Sequence, residues 1–143
     1  MPSSDTAEAM TEENVEVLRR LYGRWERGDL HTAEFFDAEV EIARIGSELP
    51  GINGEWRGLD GFGVAMTSYL DALADLRVEA ERMIDLGDDR VLVLSRQTAR
   101  GKTSALPFDS EFGDLFTFRN GKILRYASYW DRADALAAAG LSE

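Results

Sequence analysis

The chain has 143 residues, 44% of them hydrophobic and none of them cysteine. That suffices for one domain with a real core and excludes a disulfide framework, thiolate chemistry and Cys metal sites. A formal charge of −11 argues against nucleic acid and anionic membrane as partners, and the lone His31 is too little for a His-rich metal site.

Residues 1–10, MPSSDTAEAM, read as a flexible tail without a basic-then-apolar leader, and residues 11–143 as a single domain. No apolar run is long enough to span a bilayer, so a soluble cytoplasmic protein without metal or cofactor is expected. Thr11 is placed to cap a helix whose first turn carries Glu12 and Glu13, favourable at the positive dipole end. Val15, Leu18, Leu21, Tyr22 and Trp25 then keep helical spacing up to a stop at Gly28. A second, short helix is predicted from Asp29 to Phe36, and a strand from Val40 to Ile45 with Val40, Ile42 and Arg44 on one face. Gly46 to Gly58 reads as a loop holding Leu49, Pro50, Ile52 and Trp56. From about Asp60 to Ala74 a third helix carries the stripe Phe62, Met66, Tyr69, Leu70 and Leu73.

A long strand from Leu76 to Leu86, a turn at Gly87-Asp88-Asp89 and a strand from Arg90 to Lys102 follow. In that last strand Val91, Val93, Ser95 and Gln97 alternate with Leu92, Leu94, Arg96 and Thr98. Both sets begin apolar, which leaves the inward face open. Phe108 to Leu141 reads as two strands joined at Asn120-Gly121, then a helix from after Asp131 to Gly140. One residue of register decides which face each side chain takes. A three-residue loop with Gly121 as a bulge puts Phe112, Asp114, Phe116 and Phe118 with Leu124, Tyr126, Ser128 and Trp130, and leaves Glu111, Thr117, Arg119, Arg125 and Asp131 opposite. That segregation selects the bulged register. Helices at one end of the chain and strands at the other give an α+β plan. A curved, mostly antiparallel sheet would wrap over the helices as a conical barrel with an apolar pocket.

Asp114 then stands in an aromatic wall, opposite the Tyr126 hydroxyl. One reading makes it a desolvated carboxyl group acting as acid or hydrogen-bond donor; the other pairs it with Arg44 or Arg96 or bonds it to Tyr126. Arg44 among apolar neighbours would bind a ligand oxygen or serve as that partner. Asp131 is better placed as the cap of the last helix, and His31 as an exposed, inert residue. Tyr22 joins the aromatic groups expected near the pocket. Trp25, Trp56, Phe62, Met66, Tyr69, Phe112, Phe116, Ser128 and Trp130 complete the expected substrate contacts.

The first helix ending in RGDL (Arg27 to Leu30), the following Phe35-Phe36, WRGLDG (Trp56 to Gly61) and the closing FRNGKILRYASYWDRADALAAAGL resemble the nuclear-transport-factor-two-like superfamily, in particular its SnoaL-like members. The resemblance covers nearly the whole chain and implies the cone-shaped α+β fold and a homodimer paired through the outer sheet face. It implies isomerase, cyclase or hydratase/hydrolase chemistry on a small hydrophobic molecule, or non-catalytic binding of one. The protonated aspartate of ketosteroid isomerase falls on Asp114, its base on Arg44 and its tyrosine on Leu21. The essential aspartate of SnoaL-type cyclases and limonene-epoxide hydrolase falls on Ser128, and the hydrolase's Arg-x-Asp on Arg96-Gln97-Thr98. Catalysis would then rest on Asp114, with Arg44 and Tyr126 orienting the substrate oxygen. An association module with a filled pocket is the third class.

Overall fold

The computed structural model describes residues 4–47, 52–102 and 107–141. Helix α1 (Ser4–Glu26) buries Leu18, Leu21, Tyr22 and Trp25 along one face. It begins at Ser4, so Thr11 lies inside it rather than at its cap. Its end is where the sequence predicts: Gly28 takes φ 81°, and bonds from Gly28 N to Trp25 O and from Asp29 N to Arg24 O close the last turn.

The predicted second helix shrinks to a 3-10 turn, Ala33–Phe35, because Phe36 already has extended backbone and opens strand β1 (Phe36–Ile45). The loop from Gly46 contains a short strand, β2 (Gly54–Arg57), that sequence reasoning missed; it pairs antiparallel with β1, Trp56 opposite Ile42. Leu49 and Pro50 of that loop lie outside the described residues. Helix α2 (Gly58–Ala72) follows, then β3 (Leu73–Gly87), β4 (Arg90–Gly101), β5 (Pro107–Arg119), β6 (Lys122–Tyr129) and α3 (Arg132–Ala138).

The strands form one six-stranded sheet in the order β2-β1-β6-β5-β4-β3. Every neighbouring pair is antiparallel except β1 with β6, which is parallel. With β2 and β3 at its two edges the sheet stays open, which corrects the expectation of a barrel. Register shifts along β3 bend the sheet over α1 and α2, as bulges do. The main core fills that concave side: Leu18, Tyr22 and Trp25 of α1, Phe62 of α2, and Ile42, Val93, Phe116 and Tyr126 from the strands.

Helix α3 lies against the other face. It buries Ala135 and Ala139 on Leu92, with Leu94, Leu115 and Tyr129 alongside. This resolves the ambiguity of β4. Val91, Val93, Ser95 and Gln97 point to the concave side, and Leu92 is apolar because α3 covers it.

At the hairpin the turn itself has two residues, with Asn120 and Gly121 at φ 52° and 78° and Arg119 paired to Lys122. The extra residue sits further along, between the Phe118–Ile123 and Thr117–Arg125 pairs, and it is Leu124. The predicted loop is therefore corrected, and so is one core residue: Ile123, not Leu124, is buried with Phe118. Beyond the bulge the expected faces hold, but Tyr126 stands opposite Phe116 rather than Asp114, and Asp114 stands opposite Ser128.

Candidate functional site

Three polar side chains form a row across the concave face. Arg44 of β1 pairs with Ser128 of β6, and Ser128 with Asp114 of β5. Adjacent strands lie roughly 4.8 Å apart, so Ser128 stands between the cation and the acid. All three are buried among apolar neighbours.

Asp114 is completely buried and held by three hydroxyl groups. Ser128 Oγ donates to its Oδ1 at 2.8 Å; Tyr22 Oη and Ser95 Oγ donate to its Oδ2 at 2.5 and 3.3 Å. Burial pushes its carboxyl group above the ordinary range, while the bonds from Tyr22, Ser128 and Ser95 and the Arg44 charge pull the other way. The tyrosine hydroxyl bonded to it is thus that of Tyr22 from α1, not that of Tyr126 as the strand register alone suggests. Burial first, then the Asp114 charge, raises the Tyr22 phenol well above its usual value.

Neither predicted ionic partner reaches Asp114. Arg96 turns outward and forms a two-point ion pair with Asp109 at 2.6 and 2.8 Å. Arg44 donates to the Ala65 carbonyl at 2.7 Å and approaches Met66 Sδ at 3.8 Å. Its guanidinium carbon lies 4.5 Å from the Tyr69 ring centre and 5.3 Å from that of Trp56. No salt bridge to Arg44 occurs among the described residues. Burial lowers its pKa, with Tyr126, Tyr69 and Asp114 acting in opposition.

Arg44 and Ser128 open onto a cavity of about 30 Å³, walled also by Trp25, Met66, Tyr69, Val78, Gln97 and Tyr126. A water molecule needs roughly 10–15 Å³ of such space, so the cavity admits one or two water-sized groups as it stands. Asp114 is not in this wall; the Ser128 hydroxyl separates it from the cavity. Gln97 accepts a short hydrogen bond from the Tyr69 hydroxyl, which leaves its amide nitrogen as a donor. Outside the cavity a groove of about 610 Å³ runs between α2 and the segment before β1. Leu30, Met66 and Leu70 belong to both, so they form the partition between groove and cavity.

The other predicted contacts divide. Trp25 is a wall residue whose indole donates to Thr32 Oγ1 at 3.1 Å. Phe116 stacks on Tyr126 at 4.8 Å and meets Tyr22 edge-on, behind the wall. Phe62 packs on Phe36 and faces the outer groove. Trp56 covers the Arg44 guanidinium from β2. Phe112 and Trp130 leave the site: their rings meet at 4.5 Å, and Trp130 belongs to a separate cluster with Ile52, Tyr69, Leu73 and Ala99. Asp131 caps α3, accepting from Ala133 N at 2.8 Å, and His31 is exposed, both as predicted. Ser95, Gln97 and Leu30 are site residues that sequence reasoning does not single out. Tyr22 is expected among the aromatic groups, but nothing local marks it as the partner of Asp114. It stands one position beyond the Leu21 to which the resemblance assigns a tyrosine. Among the described residues no group of three or more His, Cys, Asp or Glu is arranged to hold a metal, and no helix is long and apolar enough to cross a membrane.

Residues 18–126 match the family of SnoaL-like domains. Several solved structures share the fold. An NTF2-like protein of unknown function from Burkholderia pseudomallei is 19% identical, with a TM-score of 0.75 over 87% of this chain and 95% of that one. TerC, co-crystallised with polyporic acid, is 19% identical, with a TM-score of 0.73 over 90% of this chain and 98% of that one. A protein with a ketosteroid isomerase-like fold from Catenulispora acidiphila, in complex with trimethylamine, is 16% identical, with a TM-score of 0.66 over 89% of this chain and 94% of that one. No curated protein matches the chain significantly.

Proposed function

The chain belongs to the SnoaL-like domain family, and on that premise we propose that it is an enzyme that moves protons on a small, largely apolar carbonyl compound. The observation that carries this reading is the buried Asp114 carboxyl group, raised by desolvation and linked to the cavity wall through Ser128. A base works best when its pKa approaches the working pH, and desolvation moves a carboxylate in that direction.

The step we propose is a proton transfer through Ser128. Ser128 Oγ takes a proton from the carbon next to the carbonyl and passes its own proton to Asp114 Oδ1 along their 2.8 Å bond. The substrate becomes an enolate. Its negative charge falls in the field of Arg44, and the Tyr126 phenol in the wall is the donor for its oxygen. Returning the proton to another atom isomerises the substrate; attack of the enolate on a second carbonyl closes a ring. Ser128 and Tyr126 touch substrate in this scheme, and Asp114 acts through Ser128. TerC, of the same fold, was co-crystallised with polyporic acid, and a small molecule with an apolar body is the class proposed for this chain. The homodimer implied by the family would use the part of the outer sheet face that α3 leaves open, which sedimentation equilibrium tests.

A second reading, capture of an apolar ligand without chemistry, is favoured by one observation: Asp114 is absent from the cavity wall. Deuterium exchange separates the two. The protein is incubated in D₂O with a panel of enolisable ketones and 1,3-diketones, and label at carbon is read by NMR. Enzyme-dependent exchange, lost in Asp114→Asn and rising with pH through the Asp114 ionisation in the parent protein, supports the enzyme. Binding of the same compounds without exchange supports the binder.

A further inference from the structure

Among the described residues, Arg44 is a cation whose charge no acid meets in a salt bridge. It is 5% exposed, and a guanidinium buried that deeply ordinarily has a carboxylate partner. Here its bonds go to a neutral carbonyl, Ala65 O, and to a thioether, Met66 Sδ. Aromatic rings of Tyr69 and Trp56 hold its plane. The acid on the same row, Asp114, lies beyond Ser128 and is already bonded to three hydroxyls. Arg44 nonetheless reaches the cavity wall beside Gln97, whose amide nitrogen is a donor, and Ser128, whose hydroxyl hydrogen goes to Asp114. A fixed fork of N–H groups, oriented by stacking and open on one side, fits a planar anion with two oxygens.

The cavity is too small for more than such a head group. Its partition of Leu30, Met66 and Leu70 separates it from a far larger groove, about 610 Å³ against about 30 Å³. The partition is apolar, and its members are flexible or solvent-facing: Met66 is half-buried and Leu70 is exposed. A molecule that passed between them would have its head at Arg44 and its body on Leu30, Phe62 and Leu70.

From this juxtaposition we propose that the ligand is an amphipathic organic anion. Its carboxylate, or the paired oxygens of an acidic 1,3-dicarbonyl, sits on Arg44, and its apolar body runs past Met66 into the groove along α2. This ligand class rests on the pocket reading above and narrows its carbonyl compounds to those whose anionic head group itself carries the reacting carbonyl, since the cavity holds one head group. The chain's net charge of −11 repels such a ligand at long range, so selection depends on Arg44 at contact, inside a Debye length of about 8 Å.

The test compares 3-phenylpropionate with 3-phenylpropionamide, equal in shape and different in charge, by amide NMR titration of the full chain. The carboxylate is expected to bind at least about tenfold more tightly, with shifts at Ala65, Met66 and Ser128. Arg44→Gln should erase that preference. Leu70→Trp, a change at an exposed position, should weaken both probes by crowding the entrance. Equal binding of the two probes by the parent protein overturns the proposal, a comparison that requires no variant to fold. So does a preference that survives in Arg44→Gln, or no shift with either probe at about 10 mM, weaker than any useful site. Carboxylate preference without deuterium exchange on any compound would remove the enzyme and leave this ligand class standing; exchange on neutral ketones without carboxylate preference would do the reverse.

Discussion

The Tyr22 hydroxyl and Asp114 Oδ2 meet at 2.5 Å, joining α1 to β5 across 92 positions of sequence. This contact fixes how the first helix sits on the sheet. It also supplies one of the donors that keep a fully buried carboxyl group tolerable.

Removing that donor should therefore be costly twice over. Tyr22→Phe keeps the ring that packs edge-on against Trp25 and Phe116 and deletes only the hydroxyl. We predict a stability loss of about 1–3 kcal/mol, the ordinary range for leaving a buried polar group short of a partner. The Asp114 carboxyl group should also titrate higher, since the Tyr22 bond lowers its pKa. Urea unfolding measures the first effect and carboxyl NMR the second. An unchanged Asp114 titration would show that the hydroxyl does not bond to the carboxylate in solution.

The pH dependence of stability has two limbs of opposite sign. Asp114 titrates above its ordinary value of 3.8 in the folded protein. The folded state thus holds a proton that the unfolded chain has released, so this group's contribution is full below about pH 4 and is lost as pH rises through the folded value. Asp29, Asp37 and Asp109 are held below 3.8 by bonds from Arg24, Arg119 and Arg96 respectively. Their contribution is present above that value and lost as pH falls below it. Asp114→Asn should flatten the upper limb and leave the acid limb in place. Denaturant midpoints measured from about pH 2 to about pH 8, on either side of the unperturbed carboxylate value, read both. An upper limb that persists in the variant would assign the slope to another group.

Much of this arrangement is legible in the residues, and the part that is not has physical causes. Alternation in β5 and β6 puts Asp114 and Ser128 on the aromatic face, and only the bulge differs, falling at Leu124 rather than Gly121. That displacement exchanges one core residue and leaves Asp114 and Ser128 on the concave face, because the faces beyond the bulge are the same. Tyr22 lies in plain view in the helix stripe, but its partner is 92 residues away and periodicity carries no information at that range. Strand β2 has four residues, none of them buried, too short for an alternating pattern. The two-sided apolar character of β4 becomes readable only with α3 docked over Leu92. Trp130 and Phe112 fail as pocket residues for a similar reason. Parity puts them in the aromatic set, and only packing places them at the Tyr69 end of the sheet.

Asp131 offers a test on the edge of the fold. Its carboxylate accepts from Ala133 N at 2.8 Å and starts α3. Asp131→Ala should cost about 1 kcal/mol, as lost caps do, and the loss should appear in thermal unfolding. Since the residue is exposed and off the concave face, exchange activity and probe binding should stay at the parent level. A fall in either without a fall in stability would mean that Asp131 acts in the site after all.

Gly113 tests how closely α3 is seated on β5. A Cβ added there would fall 2.1 Å from the Ala135 Cβ, with Leu92 Cδ1 also within contact. No side-chain rotation relieves that clash, because both Cβ atoms are fixed to backbone. Gly113→Ala must push α3 away from β5, uncovering Leu92 and its neighbours. Overpacking of this kind costs about 1–3 kcal/mol, and here it acts on one helix. Hydrogen exchange should accelerate selectively in α3, while amides of the Arg44–Ser128–Asp114 row, on the opposite face of the sheet, keep their protection. Uniform loss of protection would instead mean that α3 is part of the same cooperative unit as the concave core. The distinction matters for the site, because Gly113 is the immediate chain neighbour of Asp114. If α3 moves without disturbing the row, the convex helix supports the sheet from outside and the acid is held by its three hydroxyl partners alone.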